Sequence, residues 1–343
     1  MTYGTTSNDV GEAVIETSDG GYIIAGHAGS DAILIKIDHL GNETWSQTYD
    51  VFGSSDYATD IKQTSDGGYI VTGYANSAGD IDNIYGYVIC LLKTTSDGTI
   101  EWDRIFQTDT TDPDGDGNNM GKGYGYSVDI TSDGGYILFA TSDINEGSED
   151  TYVIKTDASG NELSRDIHEG LNVQSGSAIS DGGYIFTALT PYPWDGWIVR
   201  VNNAGTISWS NEYSGSRLYS IEETSDGGYI AGGSAGGDFW LLKLDDSGGE
   251  DFNMVYDSSS NTHAAFSVDQ EDDGGYVATG YKYNNNGNQD IWLLKVDSAG
   301  AEVWDWTYPD GGTYSYDDWA YSVKSTSDDG YILTGFTKSS GEG

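Results

Sequence analysis

Cysteine, histidine and basic residues are scarce in this chain, and each shortage argues against a class of protein. Cys90 is the single cysteine among 343 residues, so no disulfide can form within the chain. It lies in the apolar stretch Val88 to Leu92, where a buried and inert thiol is expected. Histidine occurs four times without ligand-like spacing, which disfavours a zinc site or a histidine-based catalytic triad.

Positive charge is the second shortage. Lysine and arginine total 14 residues against 56 aspartates and glutamates, and the formal net charge is -42. This imbalance disfavours binding to nucleic acid or to an anionic membrane. It leaves cations, basic surfaces and neutral glycans as partners, and it suits a salty or calcium-rich medium whose counter-ions screen the repulsion.

Long apolar runs are missing as well. None is long enough to span a bilayer, and residues 1–20 lack the basic start and apolar middle of a signal peptide. We therefore expect no membrane insertion. No phosphate-cradling Gly-x-x-x-x-Gly-Lys motif is present, so a nucleotide cofactor is not expected. Enzyme signatures are mostly missing, which favours a non-catalytic role, although a pair of loop carboxylates for glycoside cleavage stays open.

What the chain does contain is a repeat built on Ser-Asp-Gly-Gly-Tyr. Its tyrosine recurs as Tyr22, Tyr69, Tyr136, Tyr184, Tyr229, Tyr276 and Tyr331. The intervals are 47, 67, 48, 45, 47 and 55 residues, which is the range of propeller blades. The Asp-Gly pair lies between runs rich in Val, Ile and Tyr, which predicts a tight hairpin with positive φ at both turn residues.

Two further strands complete each repeat. The third carries Asp, Lys and Asp at fixed spacing, as in Asp31, Lys36 and Asp38. The fourth follows a glycine turn and often begins with tryptophan, as in Gly41 to Trp45. The turn aspartates are expected to be turn formers, and the repeated lysines to pair with nearby carboxylates. Gly176 interrupts an apolar row in the fourth repeat, so we expect that repeat to be the most loosely packed.

These features predict one all-β domain over residues 1–343, a seven-bladed β-propeller of four-stranded antiparallel blades. The chain stops after the second strand of the last repeat, so the last blade is expected to be incomplete and the segment to come from a longer protein with flanking domains. The expected blades are 9–50, 56–108, 123–167, 172–213, 217–256, 263–308 and 318–343.

The repeats resemble those of secreted bacterial and archaeal seven-bladed propellers, in which Ser-Asp-Gly-Gly-Tyr is followed by a Lys-x-Asp strand and a Gly-Asn-x-x-Trp turn. The Gly-x-x-x-Trp spacing is also similar to the tryptophan-docking motif of quinoprotein-like propellers, which implies an indole packed between blades. The resemblance covers nearly the whole chain. It implies neither a quinone nor a haem, and such propellers host adhesive, cell-surface and enzymatic roles alike.

In a blade of four antiparallel strands, successive connections lie alternately on the two opposite faces of the propeller. The turns between strands one and two and between strands three and four are short and uniform. The other connections hold most of the variation in length, so the face they form is the expected binding face. These variable connections are residues 76–87, 107–125, 141–150, 191–197, 282–290 and 309–318.

One variable loop has the pattern of a calcium site. Asp112, Asp114 and Asp116 alternate and are followed by Gly117, which matches the first six positions of an EF-hand loop, and Asn118 offers a further oxygen. The twelfth position is Gly123 rather than a bidentate glutamate, so a ligand must come from elsewhere. We expect Ca²⁺ to order this loop rather than to catalyse a reaction.

Aromatic residues in the loops are the other signal. Flat rings beside Asp and Asn are what a sugar-binding surface requires. Tyr126 and Tyr321 share a strand-one position with Tyr219 and Phe266 and are expected to be packing residues. The expected ligand-binding residues are Trp194, Trp197, Tyr283, Tyr314, Tyr316 and Trp319.

Together these observations favour a non-catalytic binding or adhesion module of a larger extracellular or cell-surface protein, stabilised by calcium and recognising glycan or protein. Two alternatives stay open. One is a carbohydrate-active enzyme, a hydrolase or lyase that uses loop carboxylates. The other is a structural unit of a surface layer or filament.

Overall fold

The computed structural model describes residues 9–51, 53–78, 85–108, 122–145, 148–192, 194–257, 262–283, 287–308 and 317–337. Over these residues the regular elements are β-strands, and no helix is long and apolar enough to cross a membrane. The chain divides into two compact units. The described residues up to Ala178 belong to the first unit, and those from Ile179 belong to the second.

The first unit contains thirteen of the described strands. They are β1 Asp9–Glu16, β2 Tyr22–Ala28, β3 Asp31–Ile37, β4 Glu43–Tyr49, β5 Ser55–Gln63, β6 Tyr69–Ala78, β7 Tyr85–Thr94, β8 Ile100–Phe106, β9 Lys122–Ile130, β10 Tyr136–Asn145, β11 Ser148–Thr156, β12 Glu162–His168 and β13 Asn172–Ala178.

The second unit contains the strands from β14 onward. They are β14 Tyr184–Leu189, β15 Gly196–Val201, β16 Ile207–Tyr213, β17 Ser216–Glu223, β18 Tyr229–Ala235, β19 Asp238–Leu244, β20 Glu250–Tyr256, β21 Ala264–Gln270, β22 Tyr276–Tyr283, β23 Gln289–Val296, β24 Glu302–Tyr308, β25 Asp318–Ser325 and β26 Tyr331–Thr337.

Strands that follow one another in sequence are neighbours in each sheet. The four-stranded sheets are β1–β4, β5–β8, β9–β12, β13–β16, β17–β20 and β21–β24, and β25 pairs with β26 alone. The described residues therefore form six four-stranded blades and a two-stranded piece. The prediction of seven blades is wrong in its count, because the described residues of the last repeat form only the hairpin of β25 and β26.

The repeated motif forms the turn between strands one and two. In the first repeat the Gly20 amide donates to the Thr17 carbonyl at 2.8 Å, and the Thr17 amide donates to the Gly21 carbonyl at 2.8 Å. Gly20 has a φ of 78°. Asp19 does not share this conformation, so the prediction of positive φ at both turn residues is wrong. Its carboxylate instead accepts hydrogen bonds from the Thr17 hydroxyl and the Gly21 amide.

The strand-three lysine completes this turn. The Lys36 ammonium lies 3.0 Å from Asp19 and donates to the Ile37 carbonyl at 3.2 Å. A Cβ on Gly21 would lie 2.5 Å from the same ammonium, so the second glycine leaves room for it. The hydrogen bond from Thr17, with help from Lys36, lowers the pKa of Asp19 to about 2. The same ion pair recurs at Lys93 and Asp66 and at Lys243 and Asp226. The predicted turn and pairing roles are confirmed.

Tryptophans of strand four pack against the following sheet, as predicted. A Cβ on Gly98 would lie 2.9 Å from the Trp45 ring, and that ring is 6.2 Å from the ring of Tyr69. Trp102 lies in the same way against Gly160 and Tyr136. The indole therefore covers the glycine turn and the repeated tyrosine of the next sheet.

Carboxylates on the innermost strands also join neighbouring sheets. Asp60 on β5 accepts a hydrogen bond from the Val128 amide on β9 at 3.0 Å. The same bond recurs from Ala178 to Asp129, from Gln270 to Glu222 and from Ser325 to Asp269.

The fourth repeat is not loosened by its glycine. A Cβ on Gly176 would lie 2.3 Å from the ring of Phe139, so this ring from β10 occupies the space that the missing side chain leaves. The expected loose packing at this position is therefore wrong.

Candidate functional site

Four tyrosines of the first unit form one contiguous group at the variable ends of their strands. We call Tyr57, Tyr74, Tyr87 and Tyr124 the tyrosine cluster. Ring centroids are 4.8 Å apart for the stacked pair Tyr57 and Tyr74, 5.2 Å for Tyr74 and Tyr124, and 4.9 Å for Tyr87 and Tyr124. They come from β5, β6, β7 and β9, so two adjacent sheets supply the surface.

The rings of the tyrosine cluster are half-buried, which leaves part of each accessible. Burial raises the pKa of Tyr74, and the nearby Glu12 carboxyl raises it further. The Tyr74 phenol therefore stays protonated through the physiological range and keeps its O–H as a donor. The cluster offers apolar ring surface together with hydroxyl groups.

A glutamate and a histidine border the cluster. The Glu12 carboxylate lies 4.0 Å from Nδ1 of His27, and the His27 ring is 4.9 Å from the ring of Tyr57. Burial raises the pKa of Glu12 to about 7 and lowers the pKa of His27. The Glu12 side chain still keeps 31% of its surface exposed. Glu12 is therefore crowded by protein yet reachable by solvent.

The position of Glu12 is set by a bulge in the first strand. The pairing of β1 with β2 skips Glu12, because Gly11 faces Gly26 and Ala13 faces Ala25. A Cβ on Gly26 would lie 1.9 Å from the Val10 carbonyl, which explains the glycine at this point. The corresponding skipped residues elsewhere are Thr59, Tyr126, Tyr219, Phe266 and Tyr321. Since these residues are uncharged, the bulge itself does not require a carboxylate.

A second group of aromatics lies in the second unit and includes two predicted residues. Trp319 donates from Nε1 to the Gln289 side chain at 2.6 Å, and its ring is 6.0 Å from Tyr281. Tyr283 lies 6.1 Å from the same Tyr281. The bulge residue Phe266 contacts Tyr281 and Tyr321, so the expected packing role of Tyr321 fits its position.

The predicted pair Trp194 and Trp197 lies on and beside β15. Trp194 is 37% exposed, has a φ of 70°, and lies under the Arg217 guanidinium, whose carbon is 5.8 Å from the ring centroid. Positive φ is costly for a bulky residue, so the loop holds this ring in a defined position. Trp197 is half-buried, and its Nε1 is buried without a hydrogen-bond partner among the described residues.

The remaining predicted site residues lie outside the described residues. They are Tyr314, Tyr316, Asp112, Asp114, Asp116 and Asn118. Within the described ranges, no group of three or more His, Cys, Asp and Glu side chains is arranged to hold a metal ion.

Sequence reasoning missed Glu12, His27, Tyr57, Tyr74 and Tyr87. A usable signal existed for two of them: His27 and Tyr74 each follow the repeated tyrosine by five residues, as does Tyr281. That position lies at the variable end of strand two. Glu12 gave no signal, because its setting depends on a bulge that only the pairing of β1 and β2 defines.

One apparent catalytic motif is explained by the fold. Gly232 to Gly236 has the Gly-x-Ser-x-Gly spacing of a nucleophile elbow, which requires a sharp turn from strand to helix. Ser234 instead lies within β18 and pairs with Arg217 and Phe239 in the sheet. The spacing is therefore a by-product of small residues in a strand.

Several solved structures are similar in fold to this chain, and one of them is a propeller. A protein of unknown function from Bacteroides caccae is 12% identical, with 90% of this chain and 98% of that chain covered and a TM-score of 0.53. The Dos1 propeller is 10% identical over 96% of this chain and 76% of that chain, with a TM-score of 0.57. A Hadza microbial sialidase is 13% identical, with 90% of this chain and 74% of that chain covered and a TM-score of 0.51.

No family model and no curated protein matches the chain. At these low identities the structural likeness shows the fold alone. The chain is thus a β-propeller of four-stranded antiparallel blades, with six such blades and a two-stranded piece. Membership of the quinoprotein-like propellers is not confirmed by the comparisons.

Proposed function

We propose that this propeller is a non-catalytic glycan-binding module of a larger extracellular or cell-surface protein. The observation that supports it is the tyrosine cluster, four half-buried rings in contact at the variable ends of two adjacent sheets. Sugar rings stack on such apolar faces through their C–H groups, and their hydroxyls bond to phenol and carboxyl oxygens. The aromatic group around Tyr281, with Tyr283 and Trp319, is a second surface of the same kind in the other unit.

Binding to a glycan array followed by calorimetry tests this function. Wild-type protein should bind at least one class of oligosaccharide without releasing product. Tyr87→Ala and Tyr124→Ala should each weaken binding about tenfold or more, since a lost stacking contact is worth about 1–2 kcal/mol. Tyr192→Ala is the matched control, because Tyr192 is 87% exposed and belongs to the other unit. Equal loss in the control, or binding unaffected by both cluster variants, would contradict the proposal.

A carbohydrate-active enzyme is the second candidate, and Glu12 is the observation that favours it. A partly exposed carboxyl with a pKa near 7 has the property needed by a general acid in glycoside cleavage. Incubation with polysaccharides and detection of reducing ends tests it. Product release that is abolished in Glu12→Gln would replace the binding proposal with this one.

Calcium is part of the proposal as a stabilising ion. The carboxylates of Asp112, Asp114 and Asp116 with the Asn118 amide oxygen supply hard oxygen ligands at the spacing that Ca²⁺ prefers. Binding there would order a long loop on the variable side of the propeller.

A further inference from the structure

An acidic residue, Glu12, borders the tyrosine cluster, and its negative charge indicates which class of sugar the cluster would bind. Glu12 on β1 lies 4.0 Å from His27 on β2, and it raises the pKa of Tyr74 on β6. In the described residues no hydrogen bond is made by the Glu12 carboxylate. Burial keeps His27 neutral near pH 7, so this imidazole does not neutralise the glutamate. Asp9, also on β1, acts on His27 and adds negative charge.

The fold does not require a carboxylate at the position of Glu12. Uncharged side chains fill the equivalent bulge in other sheets, among them Thr59 and Tyr126 of the same unit. By contrast, the inner-strand carboxylates Asp60 and Asp129 accept hydrogen bonds from the adjacent sheet. The Glu12 carboxyl, with 31% of its side chain exposed, therefore remains available for a ligand bound at the tyrosine cluster.

We propose that Glu12 makes the tyrosine cluster selective for positively charged sugars, those bearing an amine or quaternary ammonium group, over neutral and acidic ones. This inference rests on the proposed glycan-binding function. A ligand cation beside Glu12 restores a charge partner to a crowded carboxylate, and the adjacent ring faces attract the same cation. The net charge of -42 favours approach of a cation over approach of an anion.

Calorimetry with two matched probes tests the selectivity. The first is a quaternised glucosamine hexamer, whose charge does not change with pH, and the second is the neutral N-acetylglucosamine hexamer. At pH 8 wild-type protein should bind the cationic hexamer about tenfold or more tightly than the neutral one. Glu12→Gln should remove this preference, because it weakens binding of the cationic hexamer far more than binding of the neutral one.

The pH dependence of binding separates the effect of the Glu12 carboxylate from the effect of the protein's overall negative charge. Between pH 5.5 and pH 8 the affinity of wild-type protein for the cationic hexamer should rise, because Glu12 loses its proton near pH 7. Glu12→Gln should show no such rise. Glu43→Gln is the matched control: it removes one exposed carboxylate from β4 of the same sheet and should behave as wild type.

The outcomes distinguish the two proposals. Equal binding of both hexamers by wild-type protein overturns the selectivity and leaves glycan binding standing. Failure of every oligosaccharide to bind overturns the proposed function and this inference together. Equally tight binding of a hexalysine peptide would show that charge alone is recognised, which also overturns the inference. Glu12→Thr, which copies the bulge at Thr59, shows by its melting temperature whether loss of binding reflects misfolding.

Discussion

At the scale of single residues, one aspartate occupies a position that other repeats give to glycine. Asp329 has a φ of 63°, while the corresponding Gly274 of the preceding repeat has a φ of 83°. Aspartate tolerates this left-handed conformation better than most residues, but glycine adopts it without a steric penalty. The turn of the last repeat, Ser-Asp-Asp-Gly, is therefore slightly strained at Asp329.

Asp329→Gly should stabilise the protein by about 0.5–1 kcal/mol, because the left-handed conformation then costs less. The reverse change in the preceding repeat, Gly274→Asp, should destabilise it by a similar amount, since a Cβ there meets no atom within 4 Å and only the backbone is affected. Urea unfolding of both variants measures this. Two changes of the same sign would refute the argument.

Glu12 makes stability depend on pH. Its pKa is raised from 4.5 to about 7 in the folded protein, so the folded state binds more protons than the unfolded state between these values. The contribution of Glu12 to stability is therefore fully present below pH 4.5 and is lost as the pH rises to 7. At pH 8, Glu12→Gln should be more stable than wild type by about 1–2 kcal/mol, after discounting for solvent screening.

Unfolding in urea at pH 5 and pH 8 checks this expectation. The gain should be much smaller at pH 5, where Glu12 is mostly protonated, and Glu43→Gln should show no such difference between the two pH values. A gain of equal size at both pH values would mean that packing rather than ionisation is responsible.

At the scale of the element, the junction between sheets depends on an aromatic side chain laid over a glycine turn. Trp102 covers Gly160, and a Cβ there would lie 2.6 Å from the indole. In the second unit Phe252 lies in the same way against Gly300, with its ring 5.9 Å from Tyr276. A smaller aromatic ring thus performs the same packing.

Trp102→Ala should cost about 2–4 kcal/mol, because it removes a half-buried ring and leaves the Tyr136 ring and the Gly160 turn uncovered. Trp102→Phe should cost much less, since Phe252 shows that phenylalanine fits this junction. Thermal unfolding of the two variants makes the comparison. An equal loss in both would show that the indole makes a contact beyond the packing described.

At the scale of the whole molecule, the stability of the folded state depends on its large negative charge and on the ions in solution. A charge of -42 opposes compaction, and salt screens it. If the loop with Asp112, Asp114 and Asp116 binds calcium, a chelator should lower the melting temperature by several degrees, as expected for loss of a ligand specific to the folded state. Asp114→Asn should reduce this response.

Magnesium and sodium chloride at matched ionic strength serve as controls for this calcium experiment. They screen charge equally but do not suit a site built for Ca²⁺. Recovery of the melting temperature by either control, or an unchanged response to chelator in Asp114→Asn, would count against the loop site.

The sequence by itself determined the order of the strands, the length of the repeat and the roles of its turn and pairing residues, because these depend on local chemistry. Turn glycines, their aspartates and the strand-three lysines are neighbours within one repeat, so spacing alone predicts their contacts. Tertiary structure decided the rest. The tyrosine cluster joins β5 to β9 and Glu12 sits in a bulge, so both depend on pairing between distant strands. The same holds for the Phe139 ring that fills the space at Gly176, since packing between sheets is not encoded in the spacing of one strand.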